Sequence, residues 1–382
     1  MNGIKPLGGK LINRILDKDK ALRFLKQVNE FQKIKLNQDL VMDVEKIAIG
    51  AFSPLEGFMA REDYFSVLDN YRTSKDVLWT LPIVLPVNEG DSKKIKEGED
   101  IILTDLNDNP VAVLHLEEKY KQDKDYEVRK IFGTLDKAHP GVLHTFNSNP
   151  VYLGGKIDLI KKPESKFREY ELTPEETRKI FNDRGWKTVV AFHTRNAPHR
   201  AHEFLQKAAL ELVDGLFIQP VIGRKKPGDY NAETILKCYK VLVDDFYPKN
   251  RVLLAALSTY SRYAGPREAI FTGLVRQNYG ATHFIVGRDH TGVGNFYEKY
   301  AAHDLYKELL NELDFTPLFF HGPSYCKKCE WITTEKTCPH DDADKIEVSG
   351  TKMRDLLRKG EKPPREFMRP EIYENINEDS FT

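Results

Sequence analysis

Two short segments concentrate groups that could manage phosphate. The first is His193-Thr194-Arg195-Asn196-Ala197-Pro198-His199-Arg200-Ala201-His202-Glu203. His199 and His202 stand three residues apart, so on a helix both project from one face of its first turn. A helix start offers free N–H groups and the positive end of its dipole to an anion. With Arg195 beside it, such a cradle can stabilise the charge that develops when the α–β bond of a nucleoside triphosphate breaks. The second segment is Gly287-Arg288-Asp289-His290-Thr291-Gly292-Val293-Gly294. Its glycines let backbone approach a ligand closely, and Arg288 offers a two-pronged fork for phosphate. The bland alternatives are a surface helix with solvated histidines and an Arg288 neutralised by Asp289.

Three further groups carry weaker or different signals. Ser349-Gly350-Thr351-Lys352 with Arg354 could add hydroxyl, backbone or cationic contacts, but it also reads as a helix cap. Arg224-Lys225-Lys226-Pro227-Gly228-Asp229 reads equally as part of an anion pocket or as a solvated loop. Cys326, Cys329 and Cys338 cluster in a short stretch, which in an intracellular chain suggests a metal before a disulfide. Cys238, alone in a helical pattern, reads as a buried structural thiol.

These groups need a frame. Apolar runs at 188–192, 216–218, 252–257, 283–286 and 318–320 alternate with helical stretches, among them a stripe of Ala201, Phe204, Leu205, Ala208, Ala209 and Leu212. Thr173-Pro174-Glu175-Glu176 has the pattern of a capped helix start, and Gly265-Pro266 opens another helix. The alternation predicts an α/β doubly wound parallel sheet, whose ligands sit beyond the carboxyl ends of its strands. Both phosphate-handling segments follow such strands. Before residue 166 the pattern differs: short apolar runs at 77–87, 100–104 and 110–116 between turn residues predict a β-rich unit. The polar stretch Lys161–Lys166 marks a boundary, and the expected division is 1–165, 166–321 and 322–382, the last a small unit holding the cysteines.

The bulk composition excludes several classes. With 382 residues the chain can build two or three cores, and 58 Lys+Arg against 58 Asp+Glu leaves a formal net charge of zero. That balance, with no aromatic-plus-basic run, speaks against a nucleic-acid binder. No apolar run approaches a membrane span and the N-terminus has no apolar signal core, so a cytoplasmic protein without membrane contact is expected.

The segment 193–203 closely resembles the signature of the ATP sulfurylase (sulfate adenylyltransferase) family. Residues 287–294 resemble its second active-site loop, and Gly50–Met59 (GAFSPLEGFM), Ala264–Glu268 (AGPRE) and Val348–Lys352 (VSGTK) follow in the family's order across most of the chain. The resemblance implies a PUA-like N-terminal domain, a Rossmann-like nucleotidyltransferase domain and a small zinc-binding C-terminal domain. It implies the reaction of ATP with sulfate to adenosine 5′-phosphosulfate (APS) and pyrophosphate, with Mg2+, and a homo-oligomer. A sulfate oxygen would attack the α-phosphorus in line, chemistry that asks for positioning and charge stabilisation rather than a protein nucleophile.

By the same resemblance His193, Arg195 and Thr291 would hold sulfate, and Thr194, Arg195, Asn196 and Arg288 would act around the transferring phosphoryl group. ATP would be met by His193, Arg195, Asn196, His199, His202, Gly287, Arg288, Asp289, His290 and Val348. Two residues depart from the family's common pattern, which has Gln where His193 stands and Ala where Thr291 stands. The spacing Cys326-x2-Cys329-x8-Cys338 with His340 resembles the family's structural zinc site; Asp342 is the alternative fourth ligand. The chain shows no Gly-x4-Gly-Lys-Ser/Thr loop, so no fused APS kinase is expected. The rival readings are another nucleotidyltransferase built on the His-x-x-His helix, with a larger acceptor, and an RNA-binding PUA/zinc protein. The physiological direction of the reaction is not written in the sequence.

Overall fold

The computed structural model describes residues 3–348 and 350–382; Ser349 lies outside them, as does the side chain of Thr351. The N-terminal part is built on six strands: Gln32–Lys35 (β1), Gly57–Phe58 (β2), Leu85–Val87 (β3), Asp100–Thr104 (β4), Pro110–Lys121 (β5) and Val151–Leu159 (β6). Their order is β1-β4-β5-β6-β2, with β3 also on β6; β1 and β4 run parallel and the other pairs antiparallel. The apolar run 77–87 contributes only its last three residues as strand. Pro82 lacks the N–H that a ladder needs. The rest of the run, with Trp79, Leu81 and Ile83, is buried as irregular chain in the core.

From Thr173 the pattern of helix and strand alternates as expected. Thr173 caps the helix Pro174–Asp183: its hydroxyl accepts the Glu176 N–H at 3.2 Å, and the Glu176 carboxylate accepts the Thr173 N–H at 2.6 Å. Five parallel strands follow: Val189–Thr194 (β7), Gly215–Pro220 (β8), Val252–Leu254 (β9), His283–Val286 (β10) and Thr316–Phe319 (β11). Their order is β11-β10-β7-β8-β9. The chain winds outward from β7 through β8 and β9, then returns to lay β10 on the other side of β7. Connections leaving β7 and β10 therefore diverge, and a crevice opens at their carboxyl ends.

The helix Gly265–Asn278 is buried along its whole length between this sheet and the N-terminal part. Phe271 on it packs edge-on against Phe52 and Trp79. Beyond the sheet, a three-stranded antiparallel unit, Ser324–Cys326 (β12), Trp331–Thr333 (β13) and Lys345–Glu347 (β14), has the order β13-β12-β14. Ile332, Val348, Met353, Phe367 and Met368 bury their side chains in one cluster with Ala201 and Leu205 of the helix Arg200–Leu210. Cys238 is buried, as its setting predicted. Among the described residues no helix is long and apolar enough to cross a membrane.

Candidate active site

Strand β7 runs on to Thr194, so His193 is still in the sheet and the turn begins at Arg195. His199 is the N-cap of the helix Arg200–Leu210 rather than its first residue. Its Nδ1 accepts the backbone N–H of His202 at 3.4 Å, which leaves its proton on Nε2. The His199 and His202 rings stack, with centroids 3.7 Å apart. Burial holds both neutral: the His202 pKa is pushed down to about 4, and that of His199 lies well below the usual imidazole range, lowered by burial and by His202. The pair thus meets an anion as oriented dipoles beside a helix start, not as two cations.

Formal charge comes from arginine. Arg195 donates from Nη1 to Ser261 Oγ at 3.2 Å, and its guanidinium lies 5.6 Å from the Tyr263 ring centroid. Asn196 presents its side-chain oxygen to Arg354, which donates from Nη1 at 2.5 Å. A Cβ on Gly350 would stand 3.2 Å from Asn196 Nδ2, so the start of the helix Gly350–Arg358 sits directly on the turn. His193 faces His290 with ring centroids 5.5 Å apart, and its buried Nδ1 has no hydrogen-bond partner. Burial first, then the cations around it, put the His193 pKa well below the usual range. One of those cations is Lys225. The loop 224–229 is therefore not simply solvated: Lys225 is partly buried, donates to the Val221 carbonyl at 2.5 Å, and has its pKa lowered to about 8, first by burial.

The second segment leaves β10 at Gly287. Arg288 pairs with Glu347 of β14, not with Asp289. Asp289 and Thr291 both hold left-handed backbone, φ 55° and 58°, uncommon for a β-branched residue such as Thr291. The Thr291 hydroxyl donates to the Gly265 carbonyl at 2.7 Å, which ties the loop to the start of the buried helix. A Cβ on Gly292 would fall 1.6 Å from Asp289 Oδ1, so any side chain there would displace the Asp289 carboxylate.

One cleft of about 330 Å3 joins these pieces. It is lined by His193, Thr194, Arg195, Asn196, His199 and His202 from the first segment, by Gly287, Arg288, Asp289, His290 and Thr291 from the second, and by Val348. Sequence reasoning missed Ser261 in this lining and gave Glu268 no role. Ser261 had a signal, since it follows β9 at the same sheet edge. Glu268, one turn into a helix, accepts the Arg262 and Ala264 backbone N–H groups at 2.8 and 3.1 Å. The motif's last residue, Glu203, faces away from the cleft, where it takes two hydrogen bonds from Arg369 at 2.9 and 2.7 Å.

A separate cluster lies at β12. Cys326, Cys329 and Cys338 Sγ and His340 Nδ1 fall within 4.8 Å of one another. The closest approaches are 3.3 Å from His340 to Cys326 and to Cys329, 3.6 Å to Cys338, and 3.7 Å between Cys329 and Cys338. Ligands on a tetrahedral ion with metal–sulfur bonds of about 2.3 Å stand roughly 3.5–3.8 Å apart. The cluster can hold a metal ion, and its fourth donor is His340 rather than Asp342.

Comparison with known proteins agrees along the whole length. Residues 168–379 match the ATP-sulfurylase family and residues 4–162 match the PUA-like domain family. The chain is 48% identical to a sulfate adenylyltransferase of Pyrococcus abyssi over 372 residues, covering 97% of each. It is 47% identical to one from Hyperthermus butylicus, covering 97% of this chain and 95% of that one. A third, from Halothermothrix orenii, is 47% identical, covering 97% and 98%. Among solved structures, a hexameric APS kinase from Thiobacillus denitrificans superposes with a TM-score of 0.78 at 22% identity, covering 97% of this chain and 67% of that one, which is a likeness of fold.

Proposed function

The chain belongs to the ATP-sulfurylase family, and from that premise we propose how its cleft divides the work of the family's reaction. The reaction is that of a sulfate adenylyltransferase: ATP and sulfate exchange for APS and pyrophosphate, with inversion between the two directions decided by concentrations rather than by a second site. The alternative of a different nucleotidyltransferase is not favoured by relatives of this similarity and coverage.

The triphosphate lies across the start of the helix Arg200–Leu210, where the Nε2–H of His199, the neutral His202 ring and free backbone N–H groups face the β- and γ-phosphates and receive the departing pyrophosphate. Arg195 holds sulfate, with His193 and the backbone at Thr291 as further donors. Thr194, Asn196 and Arg288 stabilise the transferring phosphoryl group, and Gly287, Asp289, His290 and Val348 complete the nucleotide's surroundings. The observation that carries this reading is the convergence of both loops at the switch point between β7 and β10, with Arg195 already oriented by Ser261. A sulfate oxygen placed there attacks the α-phosphorus in line, the bond to the β-phosphate oxygen breaks, and no protein nucleophile intervenes.

Mg2+ enters as part of the nucleotide substrate. Among the described residues lining the cleft, the carboxylates are Glu268, engaged by backbone donors, and Asp289, so the protein has few ligands of its own for the ion. The cysteine cluster holds Zn2+ through Cys326, Cys329, Cys338 and His340 in a closed, structural site. The division 1–165, 166–321 and 322–382, a cytoplasmic location and a homo-oligomer complete the proposal. The deciding experiment is pyrophosphate release from ATP with and without sulfate. Arg195→Ala should lower sulfate-dependent kcat/KM by about a hundredfold or more; unchanged sulfate dependence would remove Arg195 from the sulfate site.

A further inference from the structure

The wall that holds Arg195 is itself held from the N-terminal part of the chain. Ser261 and Tyr263, which contact the Arg195 guanidinium, flank Arg262. The Arg262 side chain turns away from the cleft and is nearly enclosed, between the rings of Tyr260 at 4.3 Å and Phe271 at 5.0 Å. Its Nη2 donates to Asp43 Oδ1 at 2.6 Å, and the other oxygen of Asp43 accepts the Tyr260 hydroxyl at 2.9 Å. Asp43 is 2% exposed and lies on the helix Gln38–Ala48, more than two hundred residues away in sequence. The backbone of the same loop is fixed at its other end, where Glu268 accepts the Arg262 and Ala264 N–H groups. Tyr263 between them is in left-handed backbone, φ 61°. A strained segment keeps one conformation only when its surroundings over-determine it, and here two carboxylates from different parts of the molecule do so.

We propose that Asp43 is a positioning residue for the anion site: through Arg262 and Tyr260 it sets the loop 260–263, and thereby the place of the Arg195 guanidinium. The N-terminal PUA-like part then completes the catalytic centre without touching either substrate. This rests on the reading of Arg195 as the sulfate residue. The guanidinium fork recognises a tetrahedral oxyanion only in a fixed orientation, whereas the triphosphate is met by the histidines and helix start, which this loop does not touch. Arg195 also stands in the same cleft as the nucleotide's groups, so displacing the loop should act chiefly, though not solely, on sulfate.

The test is steady-state kinetics of the full-length enzyme for both substrates. Asp43→Asn is expected to raise KM for sulfate on the order of tenfold while KM for ATP stays within about twofold. In a double-mutant cycle its effect on sulfate should be less than additive with Ser261→Ala, because both act through one contact. If Asp43→Asn is recovered unfolded, Tyr260→Phe, which deletes one hydrogen bond and keeps the ring under Arg262, takes its place with the same expected split. A variant with lowered thermal stability but unchanged KM for sulfate, or with both KM values raised equally, overturns the proposal while leaving Arg195 where it is. No effect of Arg195→Ala on sulfate KM would instead remove the reading beneath it, and the proposal with it.

Discussion

The stacked histidines contribute to the protein's proton balance, together with His193 and His290, whose pKa values burial also lowers. His202 has its pKa depressed to about 4 by burial, and His199 lies lower than its ordinary value for the same cause. A folded-state pKa below the unfolded value of about 6.5 means that the unfolded chain binds the proton first as pH falls. Stability should therefore be complete above about pH 6.5 and decline between there and about pH 4, by about 1.4 kcal/mol per pH unit for each such group. Urea unfolding of the ligand-free protein at several pH values checks this. His202→Asn should flatten the slope in that window, and an unchanged slope would show that the ring is not held neutral by its surroundings. At this scale the sequence was readable where spacing is short. His199 and His202 share a helix turn, and Arg195 and Arg288 follow strands. Contacts between distant positions were not readable: the Arg288 partner, Glu347, is 59 residues on, and the Arg354 partner, Asn196, is 158 residues back. No local pattern encodes such pairs.

Strands and helices obeyed their periodicity wherever burial was simple. The run 283–286 is a strand over the expected residues, β7, β8 and β11 shift by one or two residues at their ends, and β9 stops three residues short of the expected end. Misreadings fall where proline removes ladder donors, as at 77–84, and in β5, which continues past Leu116 to Lys121 through a bulge. The metal unit was legible as a ligand set but not as a neighbour of the cleft. Strand β14 carries Glu347, partner of Arg288, and leads through Val348 to the helix Gly350–Arg358 on Asn196. A three-stranded sheet of nine residues has little core of its own. Removing the metal should therefore loosen β12–β14 and cost the cleft one wall: KM for ATP should rise about tenfold or more, and stoichiometric Zn2+ should restore it. Protein shown metal-free by mass spectrometry with its ATP KM intact would disprove that coupling.

At the scale of the whole molecule, the sheet bearing the cleft and the N-terminal sheet share the helix Gly265–Asn278 as common core. Arg267 on that helix is 4% exposed and, among the described residues, forms no ion pair with a carboxylate. Its guanidinium instead donates to the carbonyls of Val67 at 2.6 Å, Leu68 at 3.2 Å, Thr80 at 2.8 Å and Lys130 at 2.6 Å, all in the N-terminal part, and Thr80 returns a hydrogen bond to the Arg267 carbonyl at 2.6 Å. Burial lowers the Arg267 pKa only to about 10, so the group stays charged at neutral pH. Removing it would take a hydrogen bond from four carbonyls, of which that of Lys130 lies on an exposed residue and that of Val67 keeps the Tyr71 N–H at 3.3 Å, at a cost on the order of 3 kcal/mol. The two parts should then unfold as one unit despite their separate sheets. Trp79 reports on the N-terminal core and Trp186 stacks on Phe181 beside the parallel sheet, so variants retaining one or the other give independent probes. Their denaturation midpoints should coincide in the wild-type background and move apart in Arg267→Met, the N-terminal probe falling first. Separate midpoints already in the wild-type background would mean that the shared helix does not couple the two sheets, and that Asp43 could not hold the far wall of the cleft as firmly as its geometry requires.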